Sequence, residues 1–438
     1  MSAIHSTSSR RTAALSLLCL CTAVGTTSVC SGAEPAQGRR VILVADKTNA
    51  IVYWHDIGAA TVTAKAQATA TEAEKYAAFP ADMATLHLAM YDAAMAIDRR
   101  YRPFLFAPER SDAGASLDAA TGSAAYEVLS ALFPSRSEQY RQAHERFMAA
   151  IPDNPGKARG IAVGKAAAAA HLERRAADGR ANVLPGYEAQ EAPGRFRGKD
   201  PINRYWPLMR PFTVNAIAQF RPPPPPALES AEYAADFNEV KMLGGMNSTR
   251  RTAEQLELAR FHSEPPATYF TRNFGRFART TADTADAARL MGAIYANYAD
   301  AIGACLEAKY HYDTWRPQSA IPLAETDGNP ATQADPAWKP VLATPNHPEY
   351  PAAHSCSAAT LGELLRQYYG TDQVTFTWDS KVTNTTRTYT DTDALADESR
   401  MARIYGGMHF RYSTAAGAEL GRRVAGWTMG HAFMPLPK

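Results

Sequence analysis

The chain has 438 residues, 46% of them hydrophobic and 21% charged, which is enough apolar material for one large domain or two that share an interface. That composition argues against a disordered or fibrous protein. The formal net charge of +2 is carried by Arg10 and Arg11, the only charged residues before Glu34, so the rest is neutral and no basic face points to nucleic acid.

Arg10 and Arg11, an apolar stretch from residue 13 to 24 and the small residues Ser31, Gly32 and Ala33 follow the order of a signal peptide over residues 1–33. Sec and twin-arginine export both fit, giving a secreted or periplasmic product. Cys305 and Cys356 are the cysteines beyond that leader, and they read as buried small apolar side chains rather than a disulfide framework. No later stretch has the length and apolarity of a bilayer span, so no stable membrane insertion is expected.

Residues 41–44 and 51–54 read as short strands or buried lead-in segments. From Pro80 onward, Met83, Leu86, Met90, Ala93 and Ile97 recur at three- and four-residue steps and predict a core helix that gives out before Pro103. Further helices are predicted at about 120–132, 136–151 and 157–177. Residues 179–228 are rich in Gly, Pro and aromatics, and the proline run at 222–226 predicts an extended connector. Placed at 222–228, it divides an N-terminal helical subdomain (34–221) from a C-terminal one (229–438). Thr252 and Gln255 have capping-box spacing for a helix through His262. A long helix is predicted over about 282–308, where Leu290, Ile294, Tyr298, Ile302 and Cys305 keep one face, and others at 352–369, 397–404 and 409–433. Strand signals are sparse, so the fold class is all-α, bundle-like, with few or no strands.

Three segments of the C-terminal half carry cationic or imidazole groups beside helix boundaries. Lys309 and Arg316 are seven residues apart, a separation that on a helix returns them to nearly one face about 10 Å apart. His347 and His354 flank Pro351, Ala352 and Ala353; Pro351 suits a first helical turn, with unpaired N–H groups turned outward toward an anion. Arg403 and His409 flank Gly406 and Gly407, which break the helix and let the two converge.

In order and internal spacing these segments resemble the signature motifs K-x6-R-P, P-S-G-H and S-R-x5-H-x3-D of the vanadium-dependent haloperoxidase and type 2 phosphatidic acid phosphatase superfamily. Residues 86–93 and 237–241 also resemble bacterial haloperoxidase-like sequences. The resemblance implies a fold of helical bundles and a site in which Lys309, Arg316 and Arg403 neutralise the oxygens of vanadate or phosphate, with backbone donors around Ala352 and Ala353. It implies that His409 is the axial group, a vanadium ligand in a haloperoxidase or the nucleophile in a phosphatase, with His354 as acid–base opposite it. Lys309 would polarise peroxide, and His347 would favour bromide or iodide over chloride. Four positions depart from the pattern: Ala352 and Ala402 replace serines, Ala353 a glycine, and Ser413 the aspartate that would orient His409.

His87, His171 and His262 read as hydrogen-bonded structural residues, and His311 as supporting or packing. Trp315 and Tyr350 read as core or pocket wall. A zinc site from His347, His354 and His409 lacks any supporting motif. Three functions stay open: a haloperoxidase acting on hydrogen peroxide and halide, a phosphatase acting on a phosphate ester with His409 as nucleophile, and an oxyanion-binding protein with little turnover. A homodimer is left open.

Overall fold

Long apolar stripes become helices, and each ends where the sequence supplies a stop. The computed structural model describes residues 39–64, 78–182 and 184–437; the signal peptide expected at 1–33 lies outside them. Among the described residues the helices are α1 (Ala50–Thr63), α2 (Phe79–Asp98), α3 (Leu117–Leu132), α4 (Ser137–Ala149), α5 (Pro155–Arg175), α6 (Ala231–Gly244), α7 (Ala253–Phe261), α8 (Pro266–Ala278), α9 (Thr284–Tyr312), α10 (Pro317–Ala320), α11 (Ala353–Tyr369), α12 (Ala394–Tyr405) and α13 (Arg411–His431). The all-α expectation holds, with one small sheet added.

Helix α2 is buried on nearly every side from Pro80 to Ala96 and packs along α9. Its start is fixed by Pro80 in the first turn and by Asp82, which accepts from the Ala78 N–H at 2.9 Å. The capping box at Thr252 and Gln255 opens α7 as expected. Residues 51–54 are helical, because Asn49 accepts from the Val52 N–H at 2.9 Å and starts α1 there. Residues 41–44 supply one short strand, β1 (Val41–Ile42), parallel to β2 (Val374–Ser380), which pairs antiparallel with β3 (Thr385–Tyr389). Strand β2 turns Val374, Phe376 and Trp378 into the core at alternate positions.

Residues from Arg39 onward form one compact unit. Its main core joins Trp54, Leu86 and Met90 to Tyr295, Phe274, Trp378 and Leu364, so packing is continuous across the connector at 222–228. That connector is tied down beside the C-terminal segments: Tyr312 and Tyr350 donate their hydroxyls to the carbonyls of Pro222 and Pro223 at 2.6 and 2.7 Å. Helices α11 and α13 make the closest helix pair, meeting at Gly417 and Gly421, where a Cβ would lie 2.3 Å from the Ala352 carbonyl and 2.2 Å from that of Cys356. This contact sets the start of α11 against the segment carrying His409.

Candidate active site

Lys309 lies in the last turn of α9 and is fully buried. The helix stops at Asp313, which takes a left-handed conformation (φ 51°) and returns its N–H to the Lys309 carbonyl at 2.8 Å. Arg316 is therefore extended backbone just before α10, and the helical face expected to carry both cations does not exist. They converge because the chain turns back between them, with Pro317 in the first turn of the next helix.

Each cation is fixed by carbonyls of the neighbouring segments. Lys309 Nζ donates to Pro348 O at 3.1 Å and Glu349 O at 2.8 Å. Arg316, also fully buried, donates from Nε to His347 O at 2.9 Å, from Nη1 to Met408 O at 3.0 Å and His409 Nε2 at 2.9 Å, and from Nη2 to His347 Nδ1 at 3.0 Å. Arg403, in the last turn of α12, donates from Nη1 to His262 O at 3.2 Å, while its Nε is buried with no hydrogen-bond partner. After it Gly407 takes φ 75°, which a glycine adopts without strain, and the chain reverses to deliver His409.

Helix α11 begins at Ala353 with Ala352 as its N-cap and no side-chain cap, so Pro351 lies ahead of the helix and not in its first turn. Its first N–H groups are left for a ligand. Ala353, being the first helical residue, needs no glycine. Ala352 does not serve as expected: its N–H is already given to Ser413 O at 3.0 Å.

Ala353, His354, Arg403, His409 and His347 line one end of a cavity of about 610 Å³, and Phe79, Trp206, Phe270, Tyr298, Ile302 and Leu306 are among its walls. Lys309 and Arg316 are fully buried and are not among its lining residues. Burial holds the Lys309 ammonium down at about 7, the Arg403 guanidinium down at about 9 and that of Arg316 down at about 10. His354, His409 and His347 are pushed well below the usual histidine range, by burial first and then by the neighbouring cations, and are neutral. Lys309 and Arg316 share the carboxylate of Glu349, and burying them together with Arg403 is costly without an anion.

Glu349 is the residue that sequence reasoning missed. It is fully buried, accepts from His409 Nδ1 at 2.8 Å and from the Phe410 N–H at 3.1 Å, and burial raises its carboxyl to about 7 against the pull of Arg316 and Lys309. Its one sequence signal was an acid inside a short proline-flanked run between His347 and Pro351. Ser413 sits farther from the same ring nitrogen, at 3.4 Å.

The remaining candidates fall outside the cavity's chemistry. His87 and His171 are buried in hydrogen-bonded pairs with His55 and Asp92, and His262 with Glu398. His311 is exposed near Arg221. Trp315 packs in a core cluster with Tyr233, Phe237 and Phe410. Cys305 and Cys356 are buried free thiols. No group of three His, Cys, Asp or Glu side chains among the described residues could hold a metal ion, which leaves the zinc reading without support.

Residues 289–436 match the family model of the VCPO second helical-bundle domain. Among solved structures, the first bacterial vanadium-dependent iodoperoxidase is similar at 22% identity and a TM-score of 0.72, covering 90% of this chain and 99% of that one. The holo-type and apo-type structures of a bacterial vanadium-dependent chloroperoxidase are similar at 15% identity, with TM-scores of 0.66 and 0.67, each covering 88% of this chain and 97% of that one. No curated protein matches the chain. With residues 289–436 matching a second helical-bundle domain of the VCPO type and the fold matched over about nine-tenths of the chain, the chain has the helical fold of the bacterial vanadium-dependent haloperoxidases.

Proposed function

We propose that the chain is a haloperoxidase-like enzyme that oxidises halide with hydrogen peroxide at a vanadate held by His409. The carrying observation is the convergence of Arg403, His409, His354 and the uncapped start of α11 at one end of a single cavity, with Arg316, outside its lining, bonded to His409. The donor set fits an oxyanion: Arg403 Nε is buried without a partner, and the first N–H groups of α11 have no cap. Vanadate bound there would supply the electrophilic centre at which peroxide becomes reactive toward halide.

The chain's own groups supply the rest. Arg316 and Lys309 place positive charge near the imidazoles, and Arg403, whose buried Nε–H has no partner, lines the cavity end. His354 makes no hydrogen bond among the described residues and is neutral, so its ring is free to accept a proton from a substrate oxygen. His347 lines the cavity, its Nδ1 3.0 Å from Arg316 Nη2 and 3.1 Å from Pro348 O; with the histidine at this position, bromide or iodide is the expected halide ahead of chloride.

The same donors suit a phosphate ester, with His409 as nucleophile, so the test compares both. Purified protein is assayed with and without orthovanadate for bromide-dependent halogenation by peroxide and for hydrolysis of a generic phosphate ester. Halogenation that appears only with vanadate is expected. Hydrolysis that vanadate inhibits would replace this reading with the phosphatase. Tight oxyanion binding with neither activity would leave an oxyanion-binding protein.

A further inference from the structure

We propose that Glu349, and not Ser413, is the positioning residue that fixes the tautomer and orientation of His409. A guanidinium has donors only, and Arg316 Nη1 lies 2.9 Å from His409 Nε2, so Nε2 must carry a lone pair. The ring is neutral, so its one proton sits on Nδ1, and the acceptor there is Glu349 Oε1 at 2.8 Å. The tautomer with the proton on Nδ1 and the lone pair on Nε2 therefore follows from the two partners together.

Ser413 is a poor rival for this role. Its Oγ is 3.4 Å from Nδ1 and 3.5 Å from the Glu349 carbonyl, both at the outer edge of a hydrogen bond. Glu349 Oε1 is held in place by the Phe410 N–H at 3.1 Å, next in sequence to the histidine it grips. The other oxygen, Oε2, is buried without a hydrogen-bond partner, and the neighbouring Ser413 hydroxyl adds only a small pull on the carboxyl beside those of Arg316 and Lys309.

Glu349 also links the three segments. Its N–H goes to Thr314 O at 3.0 Å, between Lys309 and Arg316 in sequence, and its carbonyl accepts from Lys309 Nζ at 2.8 Å. One residue thus sets the imidazole through its side chain and the lysine through its backbone. A carboxylate behind a ligating histidine both orients the ring and raises its basicity.

The experiment uses Glu349→Gln, which keeps an acceptor oxygen in the same place, and Glu349→Met, which fills the same buried volume with none. A third variant combines Glu349→Met with Ser413→Asp. Nitrogen-15 shifts report the His409 tautomer in protein without vanadate, and calorimetry reports orthovanadate affinity. Deleting a negative charge among three cations should by itself tighten anion binding, so a loss of affinity identifies positioning. Glu349→Met is expected to lose the single Nδ1–H tautomer and to bind orthovanadate about 10 to 100-fold more weakly. Glu349→Gln should keep the tautomer, and Ser413→Asp should recover part of the loss. Wild-type tautomer with equal or tighter orthovanadate binding in Glu349→Met overturns the proposal, and if that variant does not fold, loss of the Nδ1–H form in folded Glu349→Gln does so instead. The proposal rests on the haloperoxidase-like reading only for its oxyanion. Should the wild type bind no orthovanadate, that reading fails, while the tautomer comparison still decides the role of Glu349.

Discussion

Arg316 Nη1 and His409 Nε2 lie 2.9 Å apart, a buried cation donating directly to an imidazole nitrogen. The same guanidinium bonds two carbonyls and a second imidazole, all buried. Lysine in its place keeps the charge but lacks the planar fork, and at least one buried acceptor would be left unpaired. Arg316→Lys should cost about 2 to 4 kcal/mol of stability, read from urea unfolding, and weaken orthovanadate at least about tenfold. A variant as stable as the wild type would show that water or a shifted backbone replaces the fork.

Much of this arrangement was legible from spacing, and the exceptions have physical causes. The stripe from Met83 to Ile97 and the long one through Leu290 and Tyr298 are many turns long, so their period leaves no ambiguity. Residues 51–54 form a run too short to separate helix from strand, and Asn49 decides it from outside the run. The strand pair β2–β3 escaped a reading tuned to helices, although Val374, Phe376 and Trp378 alternate. The motifs gave the identities of Lys309, Arg316, Arg403 and His409, but not how the first two meet. That depends on the left-handed turn at Asp313, where helical phase no longer applies. Glu349 was invisible because its partners are about 60 residues away, and only the folded chain brings them together.

The contact between α13 and the start of α11 gives a second prediction. An alanine Cβ at position 417 would lie 2.3 Å from the Ala352 carbonyl, a backbone atom that cannot swing aside. Gly417→Ala should therefore destabilise by about 1 to 3 kcal/mol and also weaken orthovanadate binding, because relief requires moving the first turn of α11. Gly426→Ala, one helix face away with only the Gln367 side chain at 3.5 Å, is the control. Equal melting temperatures for the two variants would mean the helices separate freely.

Buried histidines make stability depend on pH. His55 is held down at about 4, chiefly by burial, and His87 and His262 are also lowered by burial, none of the three lining the cavity. A group whose folded value is depressed below the unfolded 6.5 binds more protons when unfolded throughout that interval. Stability is thus fully present above pH 6.5 and falls as the pH drops toward the folded values, with each such histidine contributing up to about 1.4 kcal/mol per pH unit. Urea unfolding at pH 7.5 and 5.5 should show a clear loss at the lower value, the several histidines outweighing the opposite contribution of Glu349, whose carboxyl is raised to about 7. A flat profile would mean these imidazoles find water or a proton acceptor in the folded chain.

The last prediction concerns Ala352, where the resemblance expects a serine. As the N-cap of α11 it has extended backbone, and its methyl leaves the first turn without a side-chain cap. A hydroxyl there can accept from an N–H of that turn and donate its own hydrogen to an anion, so the two roles do not compete for the same atom's valence. Ala352→Ser should raise stability by about 1 kcal/mol through the cap and tighten orthovanadate about tenfold or more through a charge-assisted hydrogen bond. The two effects separate cleanly. A gain in melting temperature with unchanged orthovanadate affinity would mean that the hydroxyl turns only to the helix. The anion would then be held by Arg403, the N–H groups after Ala352 and His409 without help from position 352, and the departure from the motif would carry no cost in binding.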